Sequence, residues 1–266
     1  MAGIRRNGFV LQARERHLLR ELEIMRIVDR AQAKIVVGFG SDSRANRRLR
    51  KLTQAGFLKR FFLGTTAAGQ KALYSLSEQG AAAVGVSYRS LQRRNDEALV
   101  ADFFVNHQLA INEFYCGLKY GRPPMNGIGF GKWRTFHKPI VPGKRLIPDG
   151  YFTLQTPDRM RSAFLEVDLG YERGRVWRGK VEEYLRLATS GDFEQRSGQK
   201  TFHVLVITTT DRRVDSLRET VAGLTKKIFR FTTLDLVRSQ GPFANIWLRV
   251  SGDERRALID NGPEEL

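Results

Sequence analysis

The chain has 266 residues, 41% hydrophobic and 10% aromatic, enough apolar material for one large or two modest packed cores. Its 45 Lys+Arg against 28 Asp+Glu give a net charge of +17 and a pI near 10.5, which favours a polyanionic partner. Double-stranded DNA therefore ranks ahead of an anionic membrane surface or an acidic protein. One cysteine, Cys116, excludes an intramolecular disulfide and a cysteine-based zinc site. No apolar run reaches the roughly 20 residues of a membrane span, and the first ten residues lack the apolar core of a signal peptide. A bacterial cytoplasmic protein with no membrane partner is expected.

In chain order, residues 14–25 place Leu18, Leu19, Leu22 and Met25 at helical spacing. A second helix is predicted over 29–37, ending at Gly38-Phe39-Gly40. Ser41-Asp42-Ser43 offers caps for a third helix running to Ala55, and Gly56 stops it. On this third helix Ala45, Leu49 and Leu52 share one face. Arg44, Arg47, Arg48 and Lys51 share a neighbouring stripe, with Arg50 flanking it. Strands over 57–63 and 71–76, joined by a polar turn over 64–69, predict a hairpin that carries Lys59 and Arg60. Ser77 caps a short helix over 78–84.

Helix, helix, basic helix and hairpin is the order of a winged helix-turn-helix, in which the third helix enters the major groove and the wing reaches the backbone or minor groove. The alternative assigns the basic stripe to a solvated face. Against that, the stripe holds no acid, sits where a recognition helix belongs, and is followed by a wing. Residues 1–60 alone carry 15 Lys+Arg and 5 Asp+Glu, a local excess of +10. The predicted DNA-contacting set is Arg44, Arg47, Arg48, Arg50, Lys51, Lys59 and Arg60.

Residues 85–91 read as a boundary, dividing the chain into a DNA-binding domain over 1–88 and an α/β domain over 89–266. A long helix over 93–119 opens the second, with His107, Asn112 and Glu113 among its apolar positions. A hairpin follows, with strands over 151–154 and 162–169. Asp149 lies at the start of one strand, and Glu166 and Asp168 lie along the other. Two residues apart, Glu166 and Asp168 point to one face of an otherwise apolar strand, which is costly without a compensating cation. A divalent metal that accepts hard oxygen ligands is one such cation, and it could activate water toward a phosphodiester. Lys180, on a predicted helix over 176–187 with Tyr184 one turn on, could orient that water or steady the leaving charge. The alternative makes Asp149 a turn residue between Pro148 and Gly150, with Glu166 or Asp168 paired to Arg161 or Arg173. Further strands are predicted over 201–210 and 243–250, and a helix over 211–224. Together they give a mixed sheet flanked by helices.

The order of these pieces resembles the replication-relaxation family of plasmids and other mobile elements. The pieces are the winged-helix start, His107-Gln108-Leu109-Ala110-Ile111-Asn112, Ile147-Pro148-Asp149-Gly150, Phe164-Leu165-Glu166-Val167-Asp168 and Lys180 with Tyr184. The resemblance implies a role in plasmid replication and DNA relaxation. The second half is also similar to the PD-(D/E)xK nucleases, the restriction-endonuclease-like fold. Carried over, that resemblance makes Asp149 the first acid, Glu166 the second and Glu113 an additional one. It departs at the expected lysine, because Asp168 stands two residues after Glu166, and Lys180 is the replacement. The implied catalytic set is Asp149, Glu166 and Lys180, with Asp149, Glu166, Asp168 and Glu113 as ligands of Mg²⁺ or Mn²⁺ if the site is catalytic.

His17, His107, His137 and His203 are too scattered for a zinc motif. The Gly-x-Gly stretches lack the setting of a phosphate loop, so no nucleotide is expected. Two functions stay open. One is a metal-dependent DNA endonuclease acting in replication, transfer or recombination of a mobile element. The other is a non-catalytic winged-helix factor, a replication accessory or transcriptional regulator, with a degenerate nuclease fold. Either could work as a homodimer or with replication or transposition machinery.

Overall fold

A computed structural model describes residues 5–6, 9–63, 71–91 and 98–259. The predicted wing turn over 64–69, the start of the long helix over 93–97 and the end of the tail lie outside the described residues. The chain divides into two compact units, residues 1–116 and 117–266.

The first unit begins with a two-residue pairing of β1 (Arg5–Arg6) and β2 (Phe9–Val10). Then come α1 (Ala13–Met25), β3 (Ile27–Asp29), α2 (Arg30–Val37), α3 (Asp42–Gln54), β4 (Leu58–Leu63), β5 (Lys71–Leu76) and α4 (Glu78–Val84). Local chemistry sets these bounds. The Asp29 carboxylate accepts from Gln32 N at 2.8 Å to cap α2, Ser41 caps α3, and Ser77 caps α4. Gly38 ends α2 at φ 68°, a left-handed turn that a side chain resists. Strand β3 was not foreseen. It pairs with β5, which pairs in turn with β4, making a three-stranded antiparallel sheet in the order β3-β5-β4. Three residues are too few to show a period, but all three of β3 are buried.

Helix α5 (Ala98–Tyr120) belongs to the first unit as far as residue 116. Its polar interior positions bond to the first unit. Asn112 Nδ2 donates to the carbonyls of Met25 and Ile27, at 3.1 and 2.6 Å. Gln32 Nε2 donates to Leu109 O at 2.9 Å, and Tyr115 OH donates to Glu21 Oε2 at 2.6 Å. Buried polar groups need such partners, so this stretch of α5 is fastened to α1, β3 and α2.

The second unit is built on a six-stranded mixed sheet flanked by helices. Its elements are β6 (Gly129–Arg134), β7 (Gly150–Gln155), β8 (Met160–Asp168), α6 (Gly174–Thr189), α7 (Asp192–Ser197), β9 (His203–Thr208), α8 (Asp211–Ala222), β10 (Phe229–Thr233), α9 (Leu234–Gln240) and β11 (Leu248–Arg249). The strand order is β11-β10-β9-β8-β7-β6. The pairs β8–β9 and β9–β10 are parallel; the other three are antiparallel. One face of the sheet packs on α6, α7 and α8 through Tyr151, Phe164, Trp177, Val181, Tyr184, Phe193, Phe202, Val206, Val214 and Leu217. Parallel strands buried on both faces read as near-continuous apolar runs, which is how β9 reads. The strand predicted over 243–250 shortens to β11, while β10 and α9 occupy a stretch without predicted elements. No described helix is long and apolar enough to cross a membrane.

Candidate active site

Strand pairing brings the two sequence-predicted acids together. In the antiparallel register Gly150 faces Leu165, and Asp149 N donates to Leu165 O at 3.1 Å. Asp149, just before β7, lies close enough to Glu166 for its charge to act on that carboxyl. The Asp149 carboxylate accepts from Val167 N at 2.7 Å, which fixes it against β8. Trp133 leaves no room for a larger residue beside it: a Cβ on Gly150 would lie 2.4 Å from the Trp133 ring.

Glu166 is 1% exposed and points at α6. Its Oε2 accepts from Lys180 Nζ at 2.9 Å, and its Oε1 accepts from Tyr184 OH at 2.6 Å. Lys180 and Tyr184 are four apart on α6, so they lie one above the other on one helical face. Lys180 also reaches Glu172 Oε1 at 2.8 Å. Burial pushes the Glu166 carboxyl up to about 7; the Lys180 charge pulls against this, and nearby Asp149 adds to it. For Lys180, burial favours the neutral amine, but Glu166 and Glu172 outweigh it and hold the ammonium above its ordinary range. Tyr184 is raised by burial and by the Glu166 charge.

Asp168 is held in a separate set of hydrogen bonds. It accepts from Trp177 Nε1 at 2.9 Å, from Arg213 Nε at 3.0 Å and NH2 at 2.5 Å, and from Gly170 N at 2.8 Å. Its compensating cation is neither Arg161 nor Arg173 but Arg213, in the first turn of α8. The parallel pairing of Asp168 with Thr208 carries the chain there. Glu113 lies in the first unit, on α5. Glu172, Trp177 and Arg213 escaped the sequence reading, because spacings of 8, 9 and 45 residues from their partners carry no local signature.

Among the described residues, no group of three or more His, Cys, Asp or Glu side chains forms a metal cage. The donor set that does converge, Asp149 and Glu166, is of the kind Mg²⁺ uses: one or two carboxylates, completed by water and substrate phosphate.

In the first unit, Arg44, Arg47, Arg50 and Lys51 of α3 are exposed, as are Lys59 and Arg60 of β4. Arg48 differs. Three residues from Ala45 and four from Leu52, it borders the buried face, and it turns inward to pair with Glu15, itself fully buried. Lys59 donates to Tyr88 OH at 2.7 Å, and Arg60 lies over the exposed Phe62 ring.

A basic first unit and a carboxylate–lysine cluster on a mixed sheet define the class. A family model described as replication-relaxation matches residues 17–203, more than half of the chain and all three of Asp149, Glu166 and Lys180. The chain belongs to the replication-relaxation family. No curated protein matches it. Among solved structures it is similar to the restriction endonuclease FokI, at 10% identity and a TM-score of 0.34; the match covers 85% of this chain and 43% of that one.

Proposed function

We propose that this protein is a DNA endonuclease of mobile-element replication or transfer, with a metal-dependent site of the PD-(D/E)xK kind in its second unit. The observation that carries the reading is Lys180 Nζ at 2.9 Å from Glu166 Oε2, with the Asp149 carboxylate fixed against β8 by Val167 N at 2.7 Å. This supplies the two acids and the lysine from three different elements, with Lys180 restoring the cation missing two residues after Glu166.

Asp149 and Glu166 would hold Mg²⁺ or Mn²⁺, which when bound supplies a Lewis acid and an acidified water. Lys180 carries a fixed positive charge suited to a scissile phosphate, and Tyr184 holds Glu166 in its rotamer. The exposed α3 and the β4–β5 hairpin are read as a winged helix-turn-helix, with Arg44, Arg47, Arg50, Lys51, Lys59 and Arg60 meeting duplex DNA. Arg48 leaves that set.

The test is incubation with supercoiled plasmid in Mg²⁺, Mn²⁺ or EDTA, beside Asp149→Ala. Metal-dependent nicking that Asp149→Ala abolishes while DNA binding persists is the expected result. A second reading, a degenerate fold that only binds DNA, is favoured by one observation: both Glu166 oxygens already accept hydrogen bonds, from Lys180 and Tyr184. Salt-sensitive binding without metal-dependent cutting would select it.

A further inference from the structure

The loop joining β8 to α6 carries a pattern that the acid site does not use. Glu172 points inward: its carboxylate takes Lys180 Nζ at 2.8 Å, and its backbone carbonyl accepts from Arg213. Its neighbours point outward. Tyr171 is 69% exposed. Arg173, the N-cap of α6, and Arg175 in its first turn are both exposed, and that turn holds no acid. Arg178, a turn further on, is exposed and only loosely paired with Glu182 at 3.8 Å. An aromatic ring and two cations are thus exposed on a segment that Glu172 bonds to Lys180.

We infer that this loop and the first turn of α6 dock a single-stranded stretch of DNA, with Tyr171 stacked on one base and Arg173 and Arg175 on flanking phosphates. The inference builds on the proposed active site, beside which the strand would lie. Charge complementarity selects the occupant: Arg173 and Arg175 are exposed, and the one acid of residues 171–178, Glu172, is neutralised by Lys180 at 2.8 Å. Stacking selects the single strand, because a base inside a duplex has no free face for Tyr171. Glu172 acts here as a positioning residue, fixing the loop to Lys180 so that docking and the acids keep one geometry.

The experiment uses the full chain in EDTA and a fluorescent twelve-nucleotide oligothymidylate, read by anisotropy over a salt series. Tyr171→Ala should weaken binding by about tenfold, within the span of about 1–3 kcal/mol per stacked base, while Tyr171→Phe keeps it. Arg173→Ala with Arg175→Ala should lower the slope of log affinity against log salt by about 1.4, the loss of two single-strand phosphate contacts. Unchanged Trp177 fluorescence checks that α6 stays folded. The inference is overturned if these variants bind the oligonucleotide like the parent protein, or if Tyr171→Phe loses as much as Tyr171→Ala. The plasmid assay keeps the two readings apart. Lost binding with no cutting by any protein leaves the docking surface without the nuclease, and normal binding by variants of a cutting protein does the reverse.

Discussion

Replacing Lys180 by Met should destabilise the second unit strongly above about pH 8 and only weakly near about pH 5.5. Glu166 is 1% exposed, and Lys180 is its cationic partner at 2.9 Å. Without Lys180 the carboxyl must stay protonated or sit buried and charged, so the pH-dependent loss grows by about 1.4 kcal/mol for each pH unit above about 7. That charge exists only when Glu166 is ionised. Its carboxyl is raised on folding from 4.5 to about 7. The stability linked to its proton is therefore fully present below 4.5 and is lost as pH rises through 7. Lys180 is itself raised above 10.5, so it stays charged throughout this window and only Glu166 titrates. Near pH 5.5 the substitution removes just the part-exposed bond to Glu172, worth about 0–1 kcal/mol. Urea unfolding followed by tryptophan fluorescence reads the right part of the molecule, because Trp133, Trp177 and Trp247 all lie in the second unit. Adding Glu166→Gln to Lys180→Met should recover most of the loss at high pH, since no buried charge then remains. A loss equal at both pH values, or larger in acid, would refute the reasoning.

Four further substitutions have outcomes set by the geometry. Arg48→Ala should cost about 3 kcal/mol in thermal unfolding, because it strands the buried Glu15 carboxylate. Arg47→Ala, one position away, should leave the melting temperature unchanged and weaken duplex binding with a shallower salt slope; the opposite assignment of losses would mean that the DNA face of α3 is misplaced. Arg213→Ala should destabilise the second unit by about 3–5 kcal/mol, seen in the same tryptophan-detected unfolding, and an effect below about 1 kcal/mol would show Asp168 to be satisfied without it. Gly150→Ala should cost about 1–3 kcal/mol in that assay, because the new methyl group meets the Trp133 ring at 2.4 Å.

The local elements and the acids were legible because their signals are short-range. Ser41, Ser77 and Gly38 mark helix ends within one turn, and the alternation of β8 puts Glu166 and Asp168 on one face whatever the rest of the chain does. Lys180 was reachable because it shares a helical face with Tyr184. What the sequence did not show depends on pairing across the chain. Arg213 meets Asp168 only because β9 lies parallel to β8. Arg48 leaves the basic stripe only because Glu15 of α1 is buried against it. The bonds from Asn112 and Tyr115 to Met25, Ile27 and Glu21 span some 85 residues or more and leave no local mark on α5.

The parallel pairing of β8 with β9 also sets a timetable. Asp149 and Glu166 meet through a local hairpin, but Lys180 and Tyr184 ride on the crossover between β8 and β9, and Arg213 comes after it. Parallel pairing across so long a connection forms late compared with hairpins. A chain still emerging from the ribosome therefore holds its acids side by side before their cations arrive. The cluster is complete only once α6, β9 and α8 have packed against β8, so its charges are balanced by the slower, non-local part of folding.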